Sequence, residues 1–257
     1  MTLWSSIADG QALRAAGLFV AEGRVIVNRI LDGGLAQSCE VVRVLATAAA
    51  ARAMHLDVRV PALLDIHTPE QMQQLTGFSF HRGVVALVRR PALKDVESFL
   101  AGIPSSGPLV VAEHIVDVDN VGSIFRNARA LGAASVLLDD TSADPLYRKA
   151  VRTSMGAVLD LSWTVAPMDH VLASVRASGW RLIGLTPAAE ARPLREVVTS
   201  VSDGRVVIAI GNEGEGLSTA ALEACDVCAR IPMAAGADSL NVATALALAL
   251  YDISAVP

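Results

Sequence analysis

Short apolar runs alternate with stretches whose apolar residues recur every three or four positions, and that alternation predicts an α/β chain. In the first 95 residues, GLFVAEG (Gly17 to Gly23) reads as a strand entering a helix, VVRVLAT (Val41 to Thr47) as a buried strand and AAAARAMHL as a helix. In HTPEQMQQLTG, Thr68-Pro69 signals a helix start with proline at the first helical position, and Gly77 signals its stop. GVVALVRRP (Gly83 to Pro91) closes the segment as a strand ended by proline. These elements predict a small α/β domain over residues 1–95. The small and polar stretch AGIPSSGP (Ala101 to Pro108) predicts a linker over 96–107.

A second domain is expected over 108–257, where strand and helix repeat more regularly. PLVVAEHI, SVLLDD, LSWTVA, RLIGLT, RVVIAIG and ARIPM are strand-like, and helical patterns separate most of them. Runs such as VVIAI, apolar at every position, suit strands covered on both faces and hence a largely parallel sheet.

Composition narrows the class. Hydrophobic residues make up 53% of the chain and aromatics only 4%, so the core is built mostly from Ala, Val, Leu and Ile. The start, MTLWSSIADGQALR, has no basic segment followed by an apolar run, unlike a signal peptide. The longest apolar run, near the C-terminus, is interrupted by Thr244 and is too short to span a bilayer. Three cysteines, an odd number, point to a reducing compartment, and the cytoplasm is the expected location. The net charge of -5 argues mildly against nucleic acid, but residues 1–95 carry 10 Lys+Arg against 8 Asp+Glu, and the remainder 11 against 18. A local basic patch suffices for RNA, and the first segment is the better candidate for one.

Three segments carry candidate chemistry. In DNVGSIFRNARALGA (Asp119 to Ala133), Asn120 is a good helix N-cap, and helical spacing puts Val121, Ile124, Phe125, Ala128 and Leu131 on one face. Gly122, Arg126 and Arg129 fall on the other side, with Gly122 leaving the first turn open to a ligand. By spacing alone the segment also reads as a capped amphipathic helix with solvated arginines. In Gly211 to Gly216, a Gly-rich turn follows a buried strand, which invites a phosphate-loop reading. Against that reading, no GK[ST] follows, and Glu213 and Glu215 would repel phosphate. Carboxylates better suit a cationic or hydroxyl-bearing ligand such as S-adenosylmethionine. A surface turn relieved by glycine is the plain structural alternative. In IPMAAGADSLNVATALALALYDI, Ser239 can cap a helix apolar on nearly every side, as in a core or a subunit interface, and Asn241 at its start would need a polar partner.

Taken together, the order and spacing of DNVGSIFRNARALGA, GNEGEG, IPM and SLNV resemble the SpoU/TrmH family, RNA methyltransferases of the SPOUT class. The resemblance covers residues 108–252 closely. It is looser over 17–91, where FVAEG and HRGVVAL resemble the family's substrate-binding domain, related to a ribosomal protein fold. It implies a C-terminal α/β domain with a parallel sheet tied into a trefoil knot, an exception to the rule that chains avoid knots. It also implies a homodimer whose active sites assemble across the interface, and transfer of a methyl group from S-adenosylmethionine to a ribose 2′-hydroxyl. Carried over by position, Gly211, Ile231 and Leu240 would contact the cofactor through backbone groups with Met233 beside them, and Leu185 and Thr186 would line its adenosine side. Arg126 matches the family's catalytic arginine, and Asn120, Glu213, Ser239 and Asn241 match the polar residues around it. The presence of an N-terminal domain favours ribosomal RNA (23S) over tRNA, with Arg24 and Arg82 as candidate phosphate contacts.

Other readings remain open at this level. Cys225 and Cys228 form a lone CxxC, too few ligands for a tetrahedral zinc site and placed where a helix ends, so cysteines packed in the core are expected and no metal is called for. A methyltransferase-like RNA-binding protein without catalysis, a tRNA 2′-O-methyltransferase and a nucleotide-binding α/β enzyme are the alternatives in function.

Overall fold

The computed structural model describes residues 4, 7, 9–33, 35–36, 38–77, 83–104, 107–200, 205–234 and 236–254. The chain divides into two compact units: Met1–Ala92 with Pro145–Asp160, and Leu93–Asp144 with Leu161–Pro257.

The first unit is built on a four-stranded sheet. β1 (Leu18–Glu22), β2 (Val41–Ala46), β3 (Leu64–Ile66) and β4 (Val84–Arg89) lie in the order β1-β4-β2-β3. β4 is antiparallel to both β1 and β2, and β3 runs parallel to β2. The expected helix start at Thr68-Pro69 is present as a full capping box. Thr68 accepts the Gln71 backbone N–H, Gln71 returns a bond to the Thr68 N–H, and Gly77 ends the helix in the left-handed region. AAAARAMHL forms two helices, Ala48–Met54 and Leu56–Arg59, broken at His55, whose φ is 52°. A small core of Leu13, Val20, Leu45, Met72, Val85 and Leu87 fills one side of the sheet.

The helices Arg148–Thr153 and Ala157–Asp160 also belong to this unit. Arg148 reaches the buried Glu22 at 3.0 Å, and Arg29 meets both Asp160 and the Met155 carbonyl at 3.0 Å. The placement departs from a division at residue 95. Polar pairs tie 145–160 to β1 and to the helix Arg24–Asp32, and helical spacing carries no record of such long-range partners.

The second unit holds a seven-stranded sheet. β5 (Leu109–Ala112), β6 (Ser135–Asp139), β7 (Ser162–Ala166), β8 (Arg181–Leu185), β9 (Arg192–Pro193), β10 (Val206–Ile210) and β11 (Val227–Arg230) take the order β7-β6-β5-β10-β8-β11-β9. Every neighbouring pair is parallel. β5, β6 and β10 are buried at every position, as strands covered on both faces must be. One face packs Val111, Leu137 and Val207 against Val171 and Val175 of the helix Met168–Ala177. On the helix Val118–Ala130, Ile124, Phe125 and Ala128 are fully buried, and Phe125 meets Trp163 of β7 edge to face, with ring centroids 6.2 Å apart.

Residues 96–107 are not all linker. Asp95 caps a helix over Val96–Ala101 by accepting the Ser98 backbone N–H at 2.7 Å, and Val96, Phe99 and Leu100 join the core of the second unit. Their i, i+3, i+4 spacing is short but amphipathic, and the Pro-Ser-Ser-Gly that follows masked it. ARIPM is strand only through Arg230, so β11 begins earlier and takes in Cys228.

Candidate active site

In a parallel sheet the carboxyl ends of the strands share one edge, and loops leaving that edge line the usual ligand crevice. Here the loops after β8, β10 and β11 enclose a cavity of about 480 Å³. Leu185 and Thr186 form one wall, the turn Gly211–Gly216 a second, and Ile231, Met233 and Asp238–Leu240 a third. All six residues assigned by resemblance to the cofactor line this cavity, as do Glu213 and Ser239.

Gly211 has no room for a side chain. A Cβ there would stand 2.2 Å from the Gly216 carbonyl carbon and oxygen and 2.3 Å from the Leu217 nitrogen, all backbone atoms. The turn folds back on itself at this point, with Gly216 N–H bonded to the Asn212 carbonyl at 2.9 Å.

A relay of side-chain amides joins the three segments. Asn241 accepts the backbone N–H groups of Ala243 and Thr244 at 3.0 and 3.2 Å, capping the helix Val242–Ser254. With its oxygen committed to donors, Asn241 gives its N–H to the Asn120 side-chain oxygen at 2.8 Å. Asn120 in turn donates to the Glu213 carboxylate. The helix end therefore sets the orientation of both amides, and the line terminates on an acceptor.

Several local expectations are corrected. Asp117, not Asn120, caps Val118–Ala130, accepting the Asp119 N–H at 2.8 Å, which frees Asn120 for Glu213. Asn241, not Ser239, caps the last helix, and Asn241 is exposed rather than buried. Gly122 is buried and does not open toward a ligand. In the single chain, Leu248 and Tyr251 of the last helix are 42% and 62% exposed.

Arg126 is exposed, does not line the cavity and has no hydrogen-bond or ion-pair partner among the described residues. It sits six residues after Asn120, about 240° around the helix, so the two side chains leave it in different directions. In the first unit, Arg24 is exposed at the start of the helix Arg24–Asp32, and Arg82 lies outside the described residues.

Two residues that hold the Gly-rich turn and the segment after it were not singled out from sequence. Asn212 accepts the Gly214 and Glu215 N–H groups at 2.8 and 3.3 Å and donates to the His114 carbonyl at 3.0 Å. An Asn two residues before a Gly is an Asx-turn signal. Glu113, buried directly after β5, takes the N–H and hydroxyl of Ser218 at 2.8 and 2.7 Å. An acid immediately after a wholly apolar strand was the available signal there.

Cys225 follows the helix Thr219–Ala224 and is half-buried against the core beside Gly184, and burial pushes its thiol up to about 12. Among the described residues, no group of three His, Cys, Asp or Glu side chains is arranged to hold a metal, and no helix is long and apolar enough to cross a membrane.

Comparison with known proteins adds independent findings. Residues 107–251 match the model of the SpoU rRNA Methylase family. An uncharacterized tRNA/rRNA methyltransferase of Mycobacterium bovis is 43% identical over 182 residues, 70% of this chain and 62% of that protein. The matched stretch thus spans less than two thirds of that relative's length. The 23S rRNA (guanosine-2'-O-)-methyltransferase RlmB of Acinetobacter baylyi is 28% identical over 211 residues, 76% of this chain and 84% of that one. Among solved structures, the SpoU methyltransferase AviRb of Streptomyces viridochromogenes in complex with the cofactor AdoMet superposes with a TM-score of 0.78. It is 27% identical, over 96% of this chain and 94% of that one.

Proposed function

The chain belongs to the SpoU rRNA Methylase family, and from that premise we propose that it transfers a methyl group from S-adenosylmethionine to a ribose 2′-hydroxyl of RNA, with 23S ribosomal RNA as substrate. The observation that carries this reading is that two of the three segments line one cavity, and the third is joined to them through Asn120, which bonds both Glu213 of the cavity wall and Asn241.

The cavity fits the cofactor. Its volume lies in the range of small-molecule sites. Among the described residues, Glu213, Glu215 and Asp238 line it without any Lys, Arg or His, which suits a ligand carrying a sulfonium and an ammonium. When bound, S-adenosylmethionine supplies an electrophilic methyl group. Gly211 permits the close turn that forms one wall. Leu185 and Thr186 offer an apolar and hydroxyl-bearing wall for an adenosine, and the Ile231–Leu240 stretch supplies backbone groups.

Transfer would form an O–CH₃ bond as the S–CH₃ bond breaks, the bonding pair staying on sulfur, and the proton of the hydroxyl would pass to solvent water. Holding the hydroxyl in line accounts for much of the acceleration. Glu213 and Ser239, at the cavity, orient the ribose. Arg126 steadies the charge developing on oxygen, a role that suits a permanently protonated guanidinium better than that of a base.

Arg126 is displaced from its own cavity, which supports a site completed across a homodimer. The exposed Leu248 and Tyr251, three residues apart on the last helix, support an interface there. The same reading includes a trefoil knot in the second unit. It gives the first unit the choice of RNA, with Arg24 and Arg82 on phosphates, and it places the protein in the cytoplasm with the ribosome.

The test is incorporation of labelled methyl from S-adenosylmethionine into unmodified 23S rRNA, followed by alkaline hydrolysis. A 2′-O-methyl group blocks cleavage at its own nucleotide, so labelled dinucleotides are expected. Labelled mononucleotides would mean a base is the acceptor. No incorporation into 23S rRNA beside incorporation into tRNA would move the substrate.

A further inference from the structure

A second line of hydrogen bonds reaches the turn that carries Glu213. It starts at Asp139, the last residue of β6 and 4% exposed. Its carboxylate accepts the backbone N–H of His114 at 2.9 Å and the hydroxyls of Thr141 and Ser142. Ser142 Oγ accepts the Ile115 N–H at 2.9 Å, so both peptide groups around His114 are held. His114 is kept at φ 53°, a conformation uncommon for a residue with a side chain. Its carbonyl, fixed in this way, receives the Asn212 Nδ2–H at 3.0 Å. Asn212 Oδ1 then takes the N–H groups of Gly214 and Glu215, an Asx turn drawn around Glu213.

Closure of the turn does not require this side chain. The Gly216 N–H to Asn212 carbonyl bond is backbone to backbone, and Gly211 and Gly216 supply the tight geometry. What the Asn212 amide adds is a tie from the turn to the β5 side, next to the segment that leads into Asn120. Glu213 is therefore held in two ways, by the turn whose Gly214 and Glu215 N–H groups bond to Asn212 and by the bond of its carboxylate to Asn120.

We propose that Asn212 is a positioning residue: by anchoring the turn to the His114 carbonyl it holds the Glu213 carboxylate on Asn120 for the reaction. This rests on the methyltransferase reading. Asn212 lies in the cavity wall but acts through Glu213, so its loss should lower turnover far more than cofactor affinity.

The experiment compares Asn212→Asp, Glu213→Gln and the double variant in the full chain. Asn212→Asp keeps an acceptor for Gly214 and Glu215 and loses the donor to His114. Single-turnover methyl transfer to unmodified 23S rRNA and S-adenosylmethionine affinity by calorimetry are the two readouts. Asn212→Asp should slow transfer roughly twenty-fold with affinity within about three-fold, and the double variant should be no more than about two-fold slower than Glu213→Gln alone, as for residues acting as a unit. Asn212→Ser, which can close the same turn through its hydroxyl, carries the same expectation and replaces the aspartate variant should that one not fold. Wild-type turnover in the variants, multiplicative losses in the double variant, or equal losses of turnover and affinity would each overturn the inference alone. A wild-type protein that binds S-adenosylmethionine and methylates neither rRNA nor tRNA would overturn the methyltransferase reading, and this inference with it.

Discussion

Asn241 gives its side-chain N–H to the side-chain oxygen of Asn120 at 2.8 Å, joining two helix starts that lie 121 residues apart in sequence. Because Asn241 must accept from its own helix, Asn120 must donate onward, and Glu213 must receive. The relay has one direction only.

Asn120→Asp keeps the acceptor for Asn241 but removes the donor to Glu213 and places a carboxylate against it. Methyl transfer should fall by at least about 100-fold, and stability by no more than about 1 kcal/mol, because the bonds disturbed are exposed to solvent. Single-turnover assays and thermal melting check this. A variant as active as wild type would show that the relay is not part of the site.

Arg126→Ala should abolish transfer while S-adenosylmethionine affinity stays within a few fold and stability changes by no more than about 0.5 kcal/mol, since the side chain is exposed and makes no bond to the described residues. Loss of cofactor binding together with activity would assign Arg126 a structural role instead.

Gly211→Ala should remove cofactor binding by closing the cavity wall. The added methyl meets the Gly216–Leu217 peptide group and cannot be absorbed by a rotamer change, so a cost of about 1–3 kcal/mol or more is expected. Calorimetry should detect little or no binding. Wild-type affinity would mean that the turn moves freely.

Leu248→Asp with Tyr251→Asp should convert a dimer to a monomer by light scattering and abolish transfer, with folding intact, because both side chains are exposed in the single chain. An active monomer would remove the shared-site proposal.

Burial pushes the Cys225 thiol up from 9.0 to about 12, so at pH 8 iodoacetamide should label it far more slowly than a free cysteine. The linkage has a definite sign. The unfolded thiol ionises near pH 9 and the folded one does not, so this contribution to stability is complete below pH 9 and is lost as pH rises toward 12. Cys225→Ala should flatten that alkaline decline in melting temperature.

Much of the fold was legible because its strands are unusually pure. VVIAI and SVLLD are apolar enough to identify buried parallel strands, and Thr68-Pro69 with Gly77 marks both helix ends. β3 and β9, of three and two residues, are too short for any periodicity to register. Within the site, residue types were readable and their local jobs were not. In DVDN, Asp117 and Asn120 are both competent caps, and only the distant Glu213 decides that Asn120 is released from that duty. Ser239 and Asn241 pose the same ambiguity, resolved by Asn120. The destination of 145–160 rests on Arg148 finding Glu22, a pairing that no window of neighbouring residues contains.

That last pairing has a consequence for synthesis. β1 to β4 leave the ribosome first, yet Glu22 is 5% exposed and its cation, Arg148, is translated long after β4. A nascent chain paused before residue 148 would hold a buried carboxylate without its counter-ion, a costly arrangement that keeps the early sheet from settling. The first unit is thus completed near residue 160, and the second waits for the helix Val242–Ser254 to bring Asn241 to Asn120. Each unit thus depends on a residue translated late, Arg148 for the first and Asn241 for the second.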